Sequence, residues 1–128
     1  MSRKPLQTAT LQVDAATIRA YAELTDDFNP IHLDPDFAAR TALGGVIAHG
    51  TMSVCLLWQA VFRSLGDRAF DGLDLDIRFI KPVRIGETLL AGGEPSADAG
   101  EDGRYDVWVR GDDGSDRVVG TLRPAAAR

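Results

Sequence analysis

Between Val46 and Gly66 the chain reads VIAHGTMSVCLLWQAVFRSLG. The run is rich in helix formers and apolar on nearly every side. A helix of that kind belongs at the centre of a fold rather than on its surface, and Gly66 is a natural C-terminal stop. The rest of the chain must then supply a wrapping. The second half does so as strands: Leu73, Leu75, Ile77 and Phe79 alternate with Asp74, Asp76 and Arg78 over Leu73 to Ile80, the period of two of a half-buried strand. ETLLAGGE reads as a second strand, bulged or closely approached at Gly92-Gly93, because glycine inside a strand marks one or the other. RYDVWVR, the turn GDDGS and RVVGTL read as a closing hairpin. One all-round apolar helix followed by antiparallel strands predicts an α+β fold, a sheet wrapped around a central helix.

The first half adds a short strand over Thr10 to Val13, then Asp14 as N-cap of a helix AATIRAYAELT with Ile18, Tyr21 and Ala22 on one face,. A second helix starts with Asp34 as N-cap and Pro35 at the first helical position, and runs to about Gly44-Gly45,. At 128 residues the chain is read as a single domain, 1–128, with residues 124–128 as a flexible tail,.

Net charge of −5 argues against a general nucleic-acid binder, which shows a basic patch or stripe. It leaves room for an anionic ligand held by a local arginine cluster. The single cysteine, Cys55, excludes an internal disulfide framework and sits in an apolar run, where a buried structural thiol is expected,. The N-terminus shows no apolar signal region, and His49, Thr51, Ser53, Gln59, Arg63 and Ser64 interrupt the longest apolar stretch too often for a membrane span,. No membrane association is expected, and the location expected is cytoplasmic.

Three places could carry chemistry. Asp27 and His32 stand five residues apart in DDFNPIH. That spacing is about 140° around a helix and opposite faces on a strand. Only a bent, irregular segment brings the pair together, and Pro30 pushes Asn29 out of the helical region. A carboxylate and an imidazole converging on one water suit its addition or removal. Read from spacing alone, the alternative is a turn-capping aspartate beside an ordinary histidine. Second, His49-Gly50 stands where the apolar helix begins. Helix N-terminal amides are unpaired and suited to a developing oxyanion, although Gly50 could serve tight packing instead. Third, Arg78, Lys81 and Arg84 form the densest positive patch; it could receive phosphates or be a solvated strand edge. Two histidines without further ligands do not make a metal site, so no metal is expected.

The stretch YAELTDDFNPIHLDPDFAARTALGGVIAHGTMS resembles the signature of MaoC-like (R)-specific enoyl-CoA hydratases and dehydratases. Tyr21-Ala22, Asp27, Asn29, Pro30, His32, Asp34, Phe37-Ala38 and His49-Gly50 match that pattern in order, and RFIKPVRIGETL is similar to the family's later strand. The resemblance implies a hot-dog fold and a homodimer or dimer of dimers. It implies reversible hydration of a trans-2-enoyl-CoA to an (R)-3-hydroxyacyl-CoA. Asp27 and His32 would hold the water, the Gly50 amide would stabilise the thioester oxygen, and Asn29 would orient the loop. His49, Met52, Leu56 and Trp58 would border the substrate; Trp58 would either close the pocket at some depth or, turned outward, serve packing. No cofactor is implied; the coenzyme A or acyl-carrier-protein thioester is itself the substrate. The alternatives are a hot-dog acyl-thioesterase and a non-catalytic acyl-CoA-binding subunit.

Overall fold

Residues 4–66, 71–97 and 103–124 are described by the computed structural model. The first strand, β1 (Ala9–Gln12), leads through Asp14 into α1 (Ala15–Thr25). The Asp14 carboxylate accepts the Thr17 amide at 2.7 Å, capping an otherwise orphan donor. Ile18 and Ala22 bury the inner face of α1, with Tyr21 half-buried beside them. Two short helices follow, α2 (Pro30–Leu33) and α3 (Pro35–Ala39), and then the long α4 (Gly50–Leu65).

The apolar run thus divides in two. Val46 to Ala48 stay extended: Ile47 bridges Arg84, and the Ala48 amide donates to the Val83 carbonyl at 2.8 Å. Only from Gly50 onward does the helix form, and Gly66 ends it at φ 77°. Nor is α4 covered all round in this chain. Met52, Ser53, Leu56, Leu57, Ala60 and Val61 are buried, whereas Thr51, Cys55, Gln59 and Phe62 are exposed. Cys55 is therefore not the buried thiol expected. The helical period sets it one turn from Thr51 and Gln59, on the face turned away from the sheet.

Strands β2 (Asp74–Phe79), β3 (Thr88–Pro95), β4 (Tyr105–Arg110) and β5 (Asp116–Arg123) complete a five-stranded sheet ordered β1-β3-β4-β5-β2. Each neighbouring pair is antiparallel. The β3–β4 register runs unbroken through Gly92↔Trp108 and Gly93↔Val107, so these glycines mark close approach and not a bulge. A Cβ on Gly92 would lie 2.7 Å from the Trp108 ring, and one on Gly93 would lie 2.8 Å from the Asp106 carbonyl. The ladder's one register shift among the described residues falls at Val109/Arg110, between β4 and β5. Leu89, Ala91, Val107, Val109, Val118 and Leu122 face α4 and, with its buried side chains, form the core. The α+β sheet around one long helix is the hot-dog arrangement. Among the described residues no helix is long and apolar enough to cross a membrane. Apart from Pro124, the tail expected over 124–128 lies outside the described residues.

Candidate active site

Helix α1 ends where Asp26 turns into the left-handed region at φ 56°, alone among the described non-glycine residues. The turn sends the Asp27 amide back to the Ala22 carbonyl at 3.0 Å and leaves the Asp27 carboxylate exposed. Asn29, held extended before Pro30 at ψ 129°, accepts the Ile31 amide with its side chain at 3.1 Å. The segment is irregular from Asp27 to Asn29, as expected, and then closes into a one-turn helix from Pro30. Pro30 occupies its first position, where a missing N–H costs nothing, and His32 follows on the same turn. Asp34 then closes α2 and opens α3, accepting the Asp36 and Phe37 amides at 3.1 Å.

This folding brings Asp27 and His32 together. One ligating atom each of Asp27, His32 and His49 all lie within 4.8 Å of one another. His32 Nδ1 is 2.7 Å from the Ile47 carbonyl oxygen. A carbonyl only accepts, so Nδ1 carries the proton and the neutral ring keeps its Nε2 lone pair. His49 is 3% exposed, and its Nε2 donates to the Asp27 backbone carbonyl at 3.0 Å. Its ring stacks on His32 with centroids 3.8 Å apart and planes 26° apart. Tyr21 also meets the His49 ring, edge-on at 5.1 Å, and its hydroxyl donates to Thr51 Oγ1 at 2.7 Å. Burial pushes the Tyr21 hydroxyl above its ordinary pKa, against the opposing Thr51 hydrogen bond. His32 Nδ1 and His49 Nε2 are both committed to backbone carbonyls, which leaves the Asp27 carboxylate and His32 Nε2 to hydrogen-bond a water.

Gly50 is the first residue of α4, so its amide has no acceptor one turn back. Beside it lies a cavity of about 310 Å³ lined by Ile47, Ser53, Phe79, Lys81, Val83 and Arg117 among others. The ring of Phe79 covers Gly50, where an added Cβ would meet it at 3.1 Å. The other expected residues scatter. Met52 and Leu56 are packed in the core. Trp58 borders a separate open groove with Gln59, Phe62 and Arg63. Of the basic patch, Lys81 reaches the cavity while Arg78 is exposed on β2 and Arg84 lies at the bridge to Ile47.

A family model described as a MaoC like domain matches residues 1–113. The chain belongs to the MaoC-like family. Over 83 residues it is 37% identical to the (R)-specific enoyl-CoA hydratase of Aeromonas caviae, a match covering 65% of this chain and 62% of that one. It is 36% identical over 78 residues to the 3-hydroxybutyryl-CoA dehydratase of Methylorubrum extorquens, covering 61% and 50%. The chain therefore spans less than two thirds of these curated relatives. The solved structure of the (R)-hydratase from A. caviae involved in PHA biosynthesis has a TM-score of 0.75 and 29% identity, covering 96% of this chain and 98% of that one.

The MaoC-like match includes every residue singled out above except Arg117, which comes from β5 beyond residue 113. Arg117 is buried and paired with Glu87 and Asp113. A charge leading a valine-rich strand was its only signal in the sequence. Tyr21 was visible as part of the motif but had no role until the structure set it against His49.

Proposed function

We propose that this MaoC-like chain catalyses reversible hydration of trans-2-enoyl-CoA to (R)-3-hydroxyacyl-CoA. The observation that carries the reading is the convergence of the Asp27 carboxylate and the His32 imidazole near the start of α4. Water held between them attacks C3 of the enoyl thioester. As the C–O bond forms, the pair takes one water proton, and π-electron density moves onto the thioester oxygen. That oxygen sits at the Gly50 amide; one such donor is worth about 3–4 kcal/mol in the transition state. The enolate then collapses as a proton passes from the pair to C2, so one molecule of water is added and the site is restored. Because Nδ1 of His32 is committed to Ile47, proton traffic through this ring uses Nε2. The Asp27 carboxylate is the simpler first acceptor. Nothing in this sequence of steps draws on a metal or redox cofactor.

Trp58 and Phe62 border a groove separate from the cavity beside Gly50, so neither closes the end of that cavity. The relatives named as an enoyl-CoA hydratase and a hydroxybutyryl-CoA dehydratase support the reaction class. Phe62 on α4, Phe79 at the end of β2, and Ile80 and Ile85 beyond it are exposed large apolar side chains, which supports a second copy as partner, because exposed apolar surface marks interaction sites. Incubation with crotonyl-CoA tests the proposal. The enoyl absorbance should fall without release of free thiol. Thiol release would replace the hydratase reading with a thioesterase, and binding without conversion would leave an acyl-CoA-binding subunit.

A further inference from the structure

Position 49 is the N-cap of α4, where Ser, Thr, Asp and Asn are favoured because their side chains accept a first-turn amide. His49 makes no such bond. Its Nδ1 is buried with no hydrogen-bond partner among the described residues, a state that native structures tolerate rarely and usually for a reason. Helix formation and burial both argue against histidine here, so its use must lie in what the ring touches. The ring touches both halves of the candidate pair: Nε2–H donates to the Asp27 carbonyl at 3.0 Å, and its face stacks on His32 at 3.8 Å. The next residue in the chain is Gly50, whose amide opens α4. Tyr21 packs edge-on against the ring and is itself anchored to α4 through Thr51.

We infer that His49 is a positioning residue that fixes the Asp27 carboxylate, the His32 imidazole and the Gly50 amide relative to one another, and does not bind substrate itself. Its ring is 3% exposed, which supports positioning over the substrate contact expected from the sequence. This inference rests on the hydratase reading for its kinetic consequence but not for its structural one. A group misplaced by about 1 Å can cost up to 100-fold in rate, so loss of the ring acts on turnover more than on substrate binding.

The test compares His49→Ser, which restores a good cap but loses both contacts, with His49→Gln, which keeps an N–H able to reach the Asp27 carbonyl. With crotonyl-CoA, His49→Ser should lower kcat about 10-fold or more while KM changes by less than about threefold, and His49→Gln should recover part of the loss. A cooperative thermal melt for both variants shows that the fold is kept. The chain has two histidines, so either variant leaves one imidazole, and its long-range ¹⁵N–¹H correlations report the His32 tautomer without assignment. The parent should show His32 held as Nδ1–H by the Ile47 carbonyl, and in His49→Ser the ring, no longer stacked, should leave that carbonyl and average between tautomers. A kcat for His49→Ser within about threefold of the parent, or equal losses in both variants with the His32 tautomer unchanged, would overturn the inference. A parent that converts no enoyl thioester would sink the hydratase reading, and the spectra would then decide alone: averaging supports the positioning role, and a surviving single tautomer overturns it.

Discussion

Asp27 and His32 differ from the other candidates in how local their construction is. The left-handed Asp26, the Asn29 carboxamide on Ile31, Pro30 at the helix start and the Asp34 double cap all lie within nine residues, from 26 to 34. That is why the pair could be read from the sequence. The links that complete the site are distant in sequence: His32 to the Ile47 carbonyl and His49 to the Asp27 carbonyl. No local pattern encodes them, so His49 looked like a substrate contact and Tyr21 like packing. Because acid–base groups contribute about 100-fold or more, Asp27→Asn and His32→Ala should each reduce crotonyl-CoA hydration by at least about that factor, measured as kcat. Neither should change the melting temperature greatly, since the Asp27 side chain is exposed and His32 is only half-buried.

At the scale of elements, caps and alternation were legible because they are backbone chemistry written in one or two residues: Asp14, Asp34 and Gly66 all stand where their types predict. The start of α4 was not, since Val46 to Ala48 are as apolar as the helix they precede and only pairing with Val83 and Arg84 reveals them as extended. Sheet contacts give two predictions. A Cβ on Gly120 would collide with the Asp76 backbone oxygen, a neighbour in the β2–β5 ladder that cannot swing away. Gly120→Ala should therefore cost stability at the upper end of about 1–3 kcal/mol, seen as a lower urea midpoint. In the β4–β5 turn, the backbone and hydroxyl of Ser115 hydrogen-bond the Asp113 carboxylate, with help from Arg117, and hold its pKa at about 2 against an ordinary 3.8. A depressed carboxylate contributes stability that is present above 3.8 and lost as pH falls through about 2,. Asp113→Asn should remove that contribution, so the urea midpoints of variant and parent should converge as acid is added.

On the scale of the whole molecule, the α+β class followed from one apolar helix and a run of alternating strands, but the strand order did not. Nothing local says that β2 pairs with β5 at the sheet's far side, or that Arg117 would thereby reach a cavity at the start of α4. The helix also keeps an exposed face that the sequence read as buried, which is where burial by a second copy would reconcile the two. Sedimentation equilibrium should give a mass twice the 13.8 kDa of one chain; a monomer at micromolar concentration would remove the dimer from the proposal. The reaction itself has a stricter test. Crotonyl-CoA converted in D₂O should yield 3-hydroxybutyryl-CoA with one deuterium at C2 and the (R) configuration at C3, and the Asp27→Asn variant should yield almost none. An (S) product, product formation undiminished in that variant, or free coenzyme A in place of the hydroxyacyl thioester would contradict it.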